Sequence, residues 1–121
     1  MEFRVLGPVE VWGSAGRARL GGATQLALLS HLIVQDNRAV PCDRMMETSW
    51  EERPPTTVDA LYNGLFRLRR ALEAAEPGGA ERIVTGPNGY MLRIEPGELD
   101  LDVFRETVQR ARAAADAERY G

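Results

Sequence analysis

The sequence has 121 residues, 44% of them hydrophobic, and a formal net charge of -3. That length supports one domain with its own core and excludes two independent domains of ordinary size. With a single cysteine, Cys42, and a single histidine, His31, the chain has neither an internal disulfide nor a metal-binding cluster to offer.

No apolar run approaches the roughly 20 residues of a membrane span, and the start MEFRVLG lacks the basic and apolar regions of a signal peptide. A cytoplasmic protein without membrane contact is expected. All 15 basic residues are arginine, a bias that reflects GC-rich coding more than a special chemistry. Overall acidity argues against a uniformly basic nucleic-acid-binding domain, so any such role must rest on a local patch.

In chain order, Phe3 to Leu6, Val9 to Trp12 and Ala18 to Leu20 read as three short strands, separated by Gly7-Pro8 and by the turn-forming GSAG of Gly13 to Gly16. After Gly21-Gly22 the pattern changes to Leu26, Leu28, Leu29, Leu32 and Ile33, a helix apolar on most sides that ends near Asp36-Asn37. Arg38 to Pro41 leaves room only for a short extended piece. Asp43 then reads as the N-cap of a helix through Trp50.

Glu51 to Pro55 is a loop, and Thr56 or Thr57 caps a long helix to about Ala75, stopped by Pro77-Gly78-Gly79. Strands Arg82 to Thr85 and Tyr90 to Ile94 flank the turn GPNG, Gly86 to Gly89. A last helix starts at Asp100 or Asp102, with Leu101, Phe104, Val108 and Ala111 at helical spacing. The order predicts an α+β winged helix-turn-helix: an N-terminal antiparallel sheet, three helices and a C-terminal hairpin wing, plus one extra C-terminal helix. Such a fold does not by itself establish a function.

The long helix carries the functional signal. At 100° per residue, Leu61, Leu65, Leu68 and Leu72 form one narrow stripe for the core. Thr56, Asp59, Asn63, Phe66, Arg67 and Arg70 lie opposite, and Arg69 sits closer to the leucine edge. In a major groove, arginine donates a bidentate pair to guanine and asparagine pairs with adenine, while Arg69 and Arg70 are also placed to neutralise phosphates. The competing reading is an ordinary amphipathic helix whose solvated arginines pair with Glu73.

Other candidates are weaker. Trp50 has an indole N–H that needs a partner, which a phosphate oxygen supplies. Gln25 and Arg44 lie at helix N-termini whose free N–H groups suit phosphate. The GPNG turn lacks the helix and lysine of a phosphate-binding loop. No serine, cysteine or carboxylate pair comes with a base and an orienting partner, so an enzyme is not expected and no cofactor is implied.

The ordered segments FRVLGPVEVW, LGGATQLALLSHLIVQDNRAV, DRMMETSWEERPP, ALYNGLFRLRRAL, VTGPNGYMLRI and ELDLDVFRETV together resemble the N-terminal part of the Streptomyces antibiotic regulatory protein (SARP) family, from about residue 3 to residue 112. The resemblance implies an OmpR-type winged helix-turn-helix over residues 1–97, and in residues 98–121 the first helix of a truncated bacterial transcriptional activation domain. It also implies an activator of antibiotic biosynthesis genes that binds double-stranded direct repeats near a promoter, in a possible side-by-side dimer, and recruits RNA polymerase holoenzyme.

By position, Thr24, Gln25 and Trp50 match the family's phosphate contacts, and Asn63, Arg67 and Arg70 its recognition face. Thr85 and the wing tip match its backbone or minor-groove contacts, and the loop of Glu51, Glu52, Arg53, Pro54 and Pro55, up to Thr56, matches the segment facing polymerase. Departures from the family pattern are Thr24-Gln25-Leu26 where Lys-Gln-Arg is usual, Gly86 where an arginine is common, and Asp59 and Phe66 on the exposed face. A protein-interaction module of the same fold, with weakened or lost DNA binding and a partner docked on the Asp102 to Ala117 helix, is the alternative.

Overall fold

The computed structural model describes residues 1–21, 23–48 and 58–120, with the side chains of 23, 24, 47, 48, 58 and 118–120 outside the description. Three strands open the chain, β1 (Glu2–Arg4), β2 (Glu10–Gly13) and β3 (Gly16–Arg17), in an antiparallel meander. Phe3 pairs with Val11, and both turn inward to zero exposure. On the outer face Arg4 bonds Glu2 and stacks over Trp12, whose indole N–H donates to Glu10 at 3.0 Å. This is the period-2 alternation of a sheet with one wet side.

The expected third strand at Ala18 to Leu20 falls earlier, at Gly16–Arg17. Gly13 and Gly16 pair directly, so the turn is the two residues Ser14-Ala15, and Gly16 has φ +125°, open to glycine and strained for other residues. The hairpin tip seats on the far end of the long helix, where Ala15 N–H donates to Ala75 O at 2.8 Å.

Helix α1 (Ala23–Val34) buries Leu28, Leu29, Leu32 and Ile33, but Leu26 and Val34 face outward, so it is less enclosed than its composition suggests. It ends at Asp36 and Asn37, both left-handed. The Asn37 side-chain amide then pairs with the Ile94 backbone, accepting from its N–H at 2.7 Å and donating to its carbonyl at 3.1 Å. Val40 exchanges two backbone hydrogen bonds with Tyr90, the short extended piece expected there. Helix α2 is Cys42–Thr48, with Asp43 inside its first turn and not at the cap; Met45 N–H reaches back to Pro41 O, so the helix opens before Asp43.

Helix α3 (Val58–Ala75) presents Leu61, Leu65, Leu68 and Leu72 at 0 to 1% exposure, the predicted stripe. They pack with Phe3, Leu28, Leu29, Leu32 and Leu92 into one core. A short 3-10 turn at Gly79–Arg82, absent from the sequence reading, follows the helix. Glu73 sets it, since its carboxylate accepts from Gly78 N–H and Ala80 N–H at 3.1 and 3.0 Å. Those two bonds hold the Glu73 carboxyl below its ordinary range.

Strands β4 (Ile83–Gly86) and β5 (Gly89–Leu92) form the expected hairpin, with Pro87-Asn88 as its two-residue turn. Gly89 has φ +119°, and a Cβ there would stand 2.0 Å from Val40 O, so both conformation and space require glycine. Helix α4 (Asp100–Tyr120) follows, in contact with β1 and exposed along most of its described length. Phe3 bridges Leu99 in parallel and donates to Glu98 O at 2.7 Å.

Asp100 does not cap α4. Its carboxylate accepts from Val5 N–H and Leu6 N–H at 2.9 to 3.2 Å, tying the helix start to the end of β1. Of the expected apolar stripe on α4, Leu101 and Val108 are half-buried, whereas Phe104 and Ala111 face outward. One further clamp joins these parts. Both terminal nitrogens of Arg82, at the foot of the hairpin, donate to the Glu98 carboxylate, one at 2.7 Å.

Candidate nucleic-acid interface

The leucine stripe of α3 fixes which residues remain outward. Asp59, Asn63, Phe66, Arg67 and Arg70 are all exposed, and the sequence-predicted trio Asn63, Arg67 and Arg70 lies together on one open face. Among the described residues, Asn63 and Arg67 have no hydrogen-bond or ion-pair partner in the chain. Arg70 is placed over the Phe66 ring at 5.9 Å, one helical turn away. Asp59 occupies the first turn of α3, where a carboxylate favours the helix dipole.

Arg69 lies at the leucine edge, apart from Arg67 and Arg70. It is half-buried, and its guanidinium donates to Ile83 O at 3.0 Å and to Thr85 Oγ at 2.6 Å. The residue therefore braces the hairpin against α3, and its donors to those atoms are committed within the chain. Thr85, expected to touch the nucleic-acid backbone, is the other end of that brace. The helical wheel already placed Arg69 near the leucine edge, the side on which the hairpin packs.

Gln25 is also engaged. It is only 7% exposed, and its carbonyl oxygen accepts from Gly21 N–H at 3.0 Å, closing the turn that enters α1. The bond holds the side chain at the entry to α1, with its carbonyl oxygen engaged within the chain. Arg44 stays exposed on α2 and close enough to His31 that its charge, after burial, helps to lower the histidine pKa. Competition from Glu73 for the α3 arginines is absent from the geometry, because that carboxylate is taken by Gly78 and Ala80. The side chain of Thr24, together with Trp50, Thr56 and the loop Glu51, Glu52, Arg53, Pro54 and Pro55, lies outside the described residues.

Tyr62 was not singled out by the sequence reading. It is 48% exposed and meets Tyr90 edge-on at a centroid distance of 6.5 Å, as the side wall of a groove of about 650 Å³ between α3 and the hairpin. Cys42, Thr85, Asn88 and Tyr90 line the rest. Burial, and then Tyr62 beside it, raise the Tyr90 hydroxyl pKa above its ordinary value. The signal for Tyr62 was its wheel position, on the same flank as Arg69.

A solvent-facing helix carrying asparagine and arginine without partners among the described residues, set beside a two-stranded hairpin, is an arrangement able to offer side-chain donors to a nucleic acid. Gly86, where a basic residue is common, has open space around its Cβ position. Among the described residues no group of three histidine, cysteine, aspartate or glutamate side chains gathers to hold a metal. Nor is any described helix long and apolar enough to cross a membrane.

No protein-family model matches the sequence. The chain is 31% identical over 120 residues to the regulatory protein AfsR of Streptomyces griseus, a match covering 96% of this chain and 12% of AfsR. It is 32% identical over 128 residues to the transcriptional regulatory protein MoaR1 of Mycobacterium tuberculosis, covering 99% of this chain and 41% of MoaR1. Among solved structures, Mycobacterium tuberculosis EmbR in complex with a low affinity phosphopeptide superposes with a TM-score of 0.72 at 29% identity, over 84% of this chain and 27% of EmbR. The chain thus spans less than half the length of each of these relatives. Over that span it is similar to the N-terminal winged-helix region of SARP-type transcriptional regulators.

Proposed function

We propose that the chain is the duplex-DNA-binding part of a transcriptional activator, with α3 in the major groove and the β4–β5 hairpin as the wing on the adjoining backbone. The observation that carries this reading is the open face of α3, where Asn63, Arg67 and Arg70 point away from the core, Asn63 and Arg67 without a partner among the described residues. Guanidinium and amide groups so placed match the donor and acceptor edges of guanine and adenine. Four buried leucines and the Arg69 brace hold that face in place.

Residues 1–97 form the DNA-binding domain in this reading, and residues 98–121 open the activation domain. The finer assignment follows the family resemblance: direct repeats near the promoter of an antibiotic or other secondary-metabolite cluster, bound side by side, with the loop Glu51 to Pro55 facing RNA polymerase. The protein works in the cytoplasm, on DNA, as a binding protein and not as an enzyme.

Footprinting on promoters neighbouring its own gene, at several salt concentrations, tests the proposal. Expected is protection of short repeats spaced near one helical turn, with affinity falling steeply as salt rises. Absence of a shift on any such fragment at low salt would falsify it. A second reading, partner docking on α4, is favoured by the exposure of Val103 and Phe104; it predicts binding to a protein and none to duplex DNA.

A further inference from the structure

Phe66 is a large apolar side chain, 59% exposed, on the face of α3 that carries Asn63, Arg67 and Arg70. The leucines that fill the core leave no room for it there, since the stripe is complete without it. Among the described residues its ring is met by the guanidinium of Arg70, 5.9 Å from its centroid. A charge resting on an aromatic face keeps that side chain near the ring and limits its rotamers. The two therefore form one composite surface, a flat apolar plate beside a fork of donors.

In the major groove one base-edge group is apolar, the C5-methyl of thymine, and aromatic or aliphatic side chains read it by contact. An adjacent guanine offers two acceptors to an arginine. Resting on the DNA reading above, we infer that Phe66 is a specificity-determining residue that packs on a thymine methyl while Arg70 pairs with a guanine beside it. The bulky ring at this position then sets which operator is chosen, where a small polar residue would leave the methyl unread.

The test removes the methyl and nothing else. Duplexes with 20 random base pairs are selected on the 121-residue chain, and the best duplex is remade with deoxyuridine at each thymidine in turn. Burying one methyl group is worth about fourfold in binding. Expected is a loss of about that size at one or two positions for the wild type, none for Phe66→Ala, and the full loss retained in Arg67→Ala. Phe66→Leu, which keeps an apolar surface, should keep part of the sensitivity.

Indifference of the wild type to every replacement overturns the inference, as does an undiminished penalty in Phe66→Ala. Failure of the wild type to enrich any duplex would be a different result, overturning the DNA reading itself and this inference with it. Equal melting temperatures for the variants and the wild type are expected, because Phe66 lies outside the core.

Discussion

Arg67 and Arg69 stand two residues apart on α3 and carry the same guanidinium, yet they belong to different parts of the molecule. Arg67 faces outward with no partner among the described residues, whereas Arg69 is half-buried and spans from helix to hairpin through Ile83 O and Thr85. A rotation of about 200° along the helix separates the two. The lesson is that a cluster of like charges in sequence is not a patch in space: one flank of α3 builds the reading surface, and the other sets its angle.

The comparison breaks most readily from beneath. Leu68→Ala removes a fully buried side chain that both flanks stand on, and should lower unfolding stability by about 2 to 5 kcal/mol in urea titrations. DNA binding should disappear only where the protein unfolds. Arg67→Ala is the complementary case. Its melting temperature should match the wild type, while affinity for the selected duplex falls by about 1 to 3 kcal/mol and preference at one base pair relaxes.

Arg69→Ala sharpens the contrast. Loss of two hydrogen bonds from a charged donor should cost about 1.5 kcal/mol of stability, and the loosened wing should weaken binding several-fold. The salt dependence should stay as in the wild type, because no phosphate contact is lost; one lost contact would reduce the slope of log K against log salt by about 0.9. A reduced slope in Arg69→Ala would return this residue to the DNA face.

The smallest expected effect lies at the foot of the wing. Burial opposes the charge on Glu98, yet hydrogen bonds from Arg82 and from Glu95 N–H outweigh it and hold the carboxyl below its ordinary value of 4.5. The folded-state pKa is the lower one, so the stabilisation is fully present above about pH 4.5 and drains away as pH falls through the folded value. Glu98→Gln should therefore cost about 1 kcal/mol at neutral pH, and the gap to the wild type should close on acidification, as followed by thermal melts from pH 7 to 3.

Much of the fold was legible because it is written in local pattern. The leucine spacing of α3, the turn residues at Gly86 to Gly89 and the Pro77-Gly78-Gly79 stop each act within one or two turns of chain, and the structure follows them. Other contacts depend on distant partners. The last helix starts at Asp100 as its residue type implies, but the N–H groups of Val5 and Leu6 that its carboxylate accepts from are nearby only once β1 and α4 have come together. Gln25 is a local case, since its bond to Gly21 spans four residues.

The site was legible to the same degree. Asn63, Arg67 and Arg70 were placed by the core stripe alone, which is a local property. The bond between Arg69 and Thr85, at 2.6 Å, joins residues 16 positions apart and has no signal in local pattern. Tyr62 escaped notice since its role comes from Tyr90, a residue on the far side of the hairpin turn.

Asn37 and Val40 have one more effect. A two-stranded ribbon normally presents backbone edges along which a second chain can add a strand and begin aggregation. Here the outer edge of β5 is met at Tyr90 by Val40, and just beyond the strand Ile94 is met by the Asn37 amide. On the opposite side Arg69 occupies the carbonyl of Ile83 at the base of β4. These contacts occupy edge positions at the foot of the wing on both sides, which leaves less of its backbone open to an added strand.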